Sequence, residues 1–235
     1  MYSIIKKEFV QFFSSFLGVG ILLSLFILLG LYTWVLEGNL LEFGFAEMTI
    51  FFNFLPWFLL VFIPVLVIRL FAEEEENKSM DLIRILPISY LKIYLGKILG
   101  AFAVSIIILF PTLLYVYSIK KLSINGELDY YIVFGQYIAI MLLSLTFIQI
   151  ASVASLFTKK QSVAFVLGLA SIYIFWQLPS EIKSLVSVDM EQFGLKTHFD
   201  GIGKGVLTLS DLLYFIGINL IFLTLGTKKI SKFFI

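Results

Sequence analysis

Apolar runs of about twenty residues recur along this chain, and they constrain its fold more than any other feature. A helix that crosses a bilayer needs roughly 20 mainly apolar residues, because the hydrocarbon core is about 30 Å thick and the helix rises about 1.5 Å per residue. Six stretches reach or approach that length: residues 16–36, 50–68, 98–119, 131–157, 162–178 and 212–226. Of the 235 residues, 60% are hydrophobic and 14% charged, against about 45–50% and about 25% in soluble domains. These figures exclude a disordered chain, a disulfide-stapled secreted domain and a coiled coil. The expected fold is an all-α integral membrane protein with six transmembrane helices, five or seven being the alternatives. Lys6 and Lys7 ahead of the first run imitate a signal peptide. That run is longer than a signal core and no small-residue cleavage motif follows it, so it reads as a retained helix.

The net charge of +1 conceals an uneven distribution. With the amino terminus inside, the cytoplasmic segments hold Lys6, Lys7, Arg69, Lys78, Arg84, Lys92, Lys97, Lys159, Lys160, Lys228, Lys229 and Lys232. The opposite side holds only Lys120, Lys121, Lys183, Lys196 and Lys204. Cytoplasmic loops carry the excess of Lys and Arg, so both termini are expected in the cytoplasm, with an even number of spans.

Residues 1–15 precede the first span. On a helix, Ile5, Phe9, Phe12 and Phe16 recur at helical spacing and form one stripe, with Phe13 at its edge and Lys7, Gln11, Ser14 and Ser15 opposite. This pattern predicts an interfacial elbow helix lying on the cytoplasmic leaflet; a longer, tilted first span is the alternative. Residues 16–235 then form the membrane domain. Its two longer soluble segments are a cytoplasmic loop, 69–97, and an extracytoplasmic loop, 179–211.

No catalytic constellation is visible. The chain has no cysteine and one histidine, His198, which leaves no ligand set for zinc and no thiol chemistry. The nearest approach to a phosphate-binding loop, Gly201-Ile202-Gly203-Lys204-Gly205, has the wrong spacing and no Ser or Thr after the Lys. The chain is therefore expected not to be an enzyme, to hold no metal or cofactor and to leave any ATP hydrolysis to another chain. Charged residues fall at span ends or in loops, whereas proton and ion paths are marked by charges within spans. The uncharged Asn53, Gln136, Gln149, Gln177 and Asn219 read as interhelical hydrogen-bonding groups. Pro56, Pro64 and Pro111 read as kinks, and Gly96-x-x-x-Gly100 as a place where two helices approach closely.

The loop at 69–97 is the informative one. Ser79 is placed to cap a short helix carrying Met80, Ile83 and Leu86 on one face, with Asp81 in its first turn and Pro87 as its stop. Ser89 is placed to cap a second helix running into the third span. An amphipathic helix held beneath the bilayer suits a groove on a cytosolic partner; a solvated loop is the alternative, and it would not need Ile83, Ile85, Leu86 and Ile88. The docking residues expected here are Glu73, Glu74, Glu75, Glu76, Asp81, Ile83, Arg84 and Leu86.

At these residues the chain resembles the permease subunits of type-2 ABC transporters, most of all the gliding-motility-associated, GldF-like ones. Arg69, Phe71, Ala72, Glu73, Glu74, Asp81, Leu82, Leu86, Pro87, Ser89, Gly96 and Lys97 match the pattern of that family's second-to-third-span loop, with Lys78 at its usual Gly and Ser79 at its usual Thr. His198-Phe199, Lys204-Gly205-Val206 and Asp211-Leu212-Leu213-Tyr214-Phe215 resemble a second family pattern, departing from it at Lys204 and Thr208. The resemblance implies a six-helix bundle with an elbow helix and a coupling helix in the Glu73 to Leu86 region. It further implies a second permease subunit, two cytosolic ATPase subunits that use ATP, export across the membrane, contact with lipid and no nucleic acid. A scaffold without a transport path and an ion-coupled secondary transporter are the competing classes. The topology has a direct check: single cysteines placed at Ser79 and Ser187 should react from opposite sides of an intact membrane, and labelling from one side would overturn the even-span count.

Overall fold

The computed structural model describes residues 1–36, 48–80, 88–122, 128–186 and 191–231. These residues are helical almost throughout, and no strand occurs among them. In chain order the helices are α1 (Tyr2–Phe13), α2 (Phe16–Trp34), α3 (Thr49–Leu70), α4 (Ala72–Glu76), α5 (Tyr90–Leu109), α6 (Leu113–Leu122), α7 (Tyr130–Ser155), α8 (Gln161–Trp176), α9 (Leu178–Val186), α10 (Leu195–Gly203) and α11 (Leu209–Ser231).

Four of these stretches are long and apolar enough to cross a membrane: α3 continued by α4, α5 continued by α6, α7, and α11. The pair α1 and α2, bent by 66°, makes a fifth when taken as one span. The chain is thus an all-α membrane protein. α8 falls short of a full span at 16 residues, a length of about 24 Å at about 1.5 Å per residue. The helix of the third run opens at Tyr90 rather than at Ile98, and that of the last run extends from Leu209 to Ser231. Ser89 takes the cap position of α5 with extended backbone, but its hydroxyl makes no capping bond.

α7 is the hub. It packs against α3, α5, α8, α10 and α11. Its second half is buried on every side, from Phe147 to Ser155, which explains why its sequence shows no amphipathic face to read. Asp129 starts it by accepting hydrogen bonds from the backbone N–H groups of Tyr131 (2.9 Å) and Ile132 (3.3 Å). α11 contrasts with it. Leu213, Ile216, Leu220, Ile221 and Leu225 are exposed, an apolar face suited to lipid and costly in water.

The prolines behave in two ways. α3 continues through Pro56 and Pro64, whereas Pro111 sits in a 3-10 turn, Phe110–Thr112, that separates α5 from α6. Thr112 stabilises that break: its hydroxyl donates to the Leu109 carbonyl at 2.5 Å and pairs with the Tyr137 hydroxyl at 2.9 Å.

Helix α1 lies against α5 on the two glycines of the Gly96-x-x-x-Gly100 motif. A Cβ added at Gly96 would meet Ile4 at 3.1 Å, and one at Gly100 would meet the Glu8 Cβ at 2.9 Å. Small residues at that spacing let the two backbones approach. Gly100→Leu is expected to cost about 1–3 kcal/mol through overpacking and to lift α1 from α5. Gly217→Leu, where nothing lies within 4 Å of an added Cβ, should leave stability within about 0.5 kcal/mol. Thermal unfolding of the two variants in detergent separates these outcomes.

Candidate functional site at the amino-terminal end

One end of the bundle gathers α1, the end of α3 with α4, the start of α5, the α7–α8 turn and the end of α11. At its centre is the ammonium of Lys97, whose side chain is 0% exposed. It donates to three acceptors: Glu74 Oε2 at 2.7 Å, Glu8 Oε1 at 3.2 Å and the Leu70 carbonyl at 2.5 Å. These use all three of its N–H groups. The carbonyl is available because Leu70 ends α3, where the last helical acceptors have no partner within the helix. Lys7, half-exposed, bonds to Glu74 and lies 3.6 Å from Glu8 Oε1. The Phe71 ring centroid is 5.4 Å from the Lys97 nitrogen. Two acids and two bases from three segments thus neutralise one another, with all but Lys7 out of water. Burying a lone charge costs several kcal/mol, so each member depends on the others.

A second tie lies beside the first. The Arg69 guanidinium donates to Ser15 Oγ at 2.6 Å and approaches Glu73 Oε2 at 3.8 Å. Ser15 Oγ also accepts from the Gly18 N–H at 3.0 Å and donates to the Phe12 carbonyl at 2.8 Å. The bend between α1 and α2 is therefore fastened to the end of α3. Glu75 pairs with Lys159 at 3.1 Å, and Glu76 accepts from the Gln161 N–H at 3.4 Å, which ties α4 to the α7–α8 turn. Deeper in the bundle, Tyr94 stacks on Phe71 and donates to Gln149 Oε1 at 2.9 Å. After α4 the backbone turns through Lys78 at φ 57°, a left-handed conformation that favours glycine. The Ser79 hydroxyl donates back to the Glu74 carbonyl at 3.2 Å.

The opposite end carries a smaller polar cluster. Asp211 Oδ1 lies 2.6 Å from His198 Nδ1, and Asp211 Oδ2 accepts from the Thr208 hydroxyl at 2.6 Å. The His198 ring stacks on Tyr214 with centroids 3.9 Å apart, and the Tyr214 hydroxyl donates to the Phe193 carbonyl at 2.6 Å. These bonds hold α10 against the start of α11. No group of acids and histidines able to hold a metal occurs among the described residues.

Residues 37–180, more than half of the chain, match the family model described as ABC-2 family transporter protein. The chain belongs to the ABC-2 transporter family. It is accordingly a membrane-embedded permease subunit of an ABC transporter, a kind of subunit that works with an ATPase partner. No curated protein matches the chain. The family match includes Arg69, Glu73 to Glu76 and Lys97; it leaves out α1, with Lys7 and Glu8, and the His198–Asp211 cluster.

Against the expected site residues, the structure does three things. It engages Glu73, Glu74, Glu75 and Glu76 within the chain, Glu74 most deeply. Asp81, Ile83, Arg84 and Leu86 lie outside the described residues. It divides the expected stripe of α1: Phe12 is buried, Ile5, Phe9 and Phe13 are half-buried, and Phe16 is 95% exposed. The face turned to the bundle is Ile4, Ile5, Glu8 and Phe12. Sequence reasoning passed over Glu8, although it stands one helical turn from both Ile4 and Phe12. An acid on the apolar face of an amphipathic helix was the available signal, and only the fold supplied Lys97 as its partner. Lys97→Met should cost about 3–5 kcal/mol, because the two buried carboxylates then keep only the half-exposed Lys7 as a counter-charge. Glu74→Leu combined with Lys97→Met should cost less than the two single changes added together. Thermal unfolding of the three variants measures that coupling.

Proposed function

We propose that this chain is the permease of an ATP-driven exporter in a bacterial inner membrane, with both termini cytoplasmic. In this reading α2, α3, α5–α6, α7, α8 and α11 provide six crossings, and α1 is the elbow helix on the cytoplasmic leaflet. Two such permeases, identical or related, pair with two cytosolic ATPases, and the docking segment lies in the 69–97 loop, in the Glu73 to Leu86 region, with Ile83 and Leu86 as its apolar anchors. The family match supports the transporter class, and the charge bias supports the orientation. The observation that carries the mechanism is the buried Lys97 cluster. It joins α1, α4 and α5 on both flanks of those anchors, so a push on that segment reaches three helices as one block. Rigid, fully paired polar networks transmit displacement in this way because their members cannot move independently without exposing a charge.

The chemistry of ATP hydrolysis belongs to the partner, and this chain contributes the docking surface and the path. The four-glutamate run acts mainly as internal bracing in this reading, and the neighbouring apolar face does the docking. Service in gliding motility rests on the resemblance of the two loop motifs alone. The test is co-purification with the separately encoded ATPase. Ile83→Asp with Leu86→Asp should reduce ATPase retention at least tenfold while the permease stays folded, and in a gliding host the same variant should abolish surface spreading. Undiminished retention and coupled turnover would refute the docking segment.

A further inference from the structure

At the end of the bundle away from the Lys97 cluster, a cavity of about 580 Å³ opens between the starts of α3 and α7 and the helix α10. Its wall is apolar, with Met48, Phe52, Val133 and Phe199 all buried. Its mouth carries the exposed Asn53 and Lys204. Gln136, 5% exposed, lines it as well, and its Oε1 atom has no hydrogen-bond partner. Among the described residues the other buried atoms in that condition are Ser152 Oγ, Ser155 Oγ, Trp176 Nε1 and Asn219 Oδ1. None of these lines the cavity, and the space beside Ser155 is only about 10 Å³. A buried amide oxygen left unpaired is destabilising, so its retention beside a ligand-sized space suits an occupant that supplies a donor.

The charges around the cavity say what that donor is. Two carboxylates, Asp129 and Asp200, line it against one ammonium, Lys204. Asp129 already accepts from two backbone N–H groups as the cap of α7. Asp200 is half-buried, and burial pushes its carboxyl above the ordinary range although the charges of Lys196 and Lys204 pull it down. Such an acid gains by the approach of a cation. We propose that this cavity binds the primary ammonium head of an amphiphile, with Asp200 and Gln136 Oε1 as acceptors and the Met48, Phe52 and Val133 wall as the seat of its apolar body. The site needs a bilayer-embedded chain and nothing from an ATPase, so it stands or falls separately from the docking segment.

The test uses the full chain in nanodiscs whose only lipid is phosphatidylcholine, a headgroup with no primary amine, titrated with dodecylammonium or with dodecyl sulfate while thermal unfolding is followed. Dodecylammonium should raise the unfolding temperature saturably, and dodecyl sulfate should not. Gln136→Leu should unfold no lower than the wild type without amphiphile, because it removes an unpaired polar atom, yet bind dodecylammonium at least tenfold more weakly. Asp200→Asn should lose affinity to the same degree. Equal stabilisation by both amphiphiles, or wild-type affinity in both variants, would overturn the proposal. Native mass spectrometry of protein purified from cells then distinguishes the source. Retention of phosphatidylethanolamine by the wild type and its loss in Gln136→Leu assigns the site to membrane lipid; dodecylammonium binding with no retained lipid assigns it to a soluble amine.

Discussion

The ammonium of Lys97 has no contact with solvent, and that single fact organises the amino-terminal end of the molecule. A buried cation must be met by acceptors on every N–H, and here they come from three separate segments: Glu8 on α1, Glu74 on α4 and the carbonyl that ends α3. None of these segments can leave without stranding a charge. The glycines at 96 and 100 make the arrangement possible, since α1 could not otherwise come close enough to α5 for Glu8 to reach Lys97.

The rest of the architecture separates what is fixed from what faces lipid. α7 sits at the centre and is enclosed by five other helices, while α11 turns most of its apolar surface outward. The two ends differ in kind. The amino-terminal end is bound by full charges, suited to passing force between helices. The opposite end is held by the neutral and charged hydrogen bonds of His198, Thr208, Asp211 and Tyr214, and it leaves a half-polar cavity open. The charge cluster and the cavity thus occupy opposite ends of the bundle.

Much of this was legible in the residues. The apolar runs located the helices, because hydrophobic length is a local property, although α5 opens eight positions before its run. Gly96-x-x-x-Gly100 was read as a close approach and is one, though the partner turned out to be α1. Pro111 was read as a kink and ends α5, whereas α3 passes through Pro56 and Pro64 without ending. The acidic run at 73–76 was read as a surface for a partner. In the structure its side chains also meet Lys7, Arg69, Lys97, Lys159 and the Gln161 backbone, residues up to 85 positions away. No local pattern could have revealed those pairings. α8, at 16 residues, is shorter than the other apolar runs' helices, for its run ends where the chain turns into α9.

Sequence alone determined the class of the protein: apolar length and the motif in the 69–97 loop describe a membrane permease subunit, the class to which the family match also assigns it. Tertiary structure alone decided which charges are structural. Glu8, Glu74 and Lys97 look like ordinary helix-end residues in the chain, and they become a buried cluster only when three helix ends converge. The physical reason is range. Hydrophobic periodicity acts over one or two helical turns and is written in neighbouring residues, whereas the cost of a buried charge is settled by whichever distant residues the fold brings within hydrogen-bonding reach.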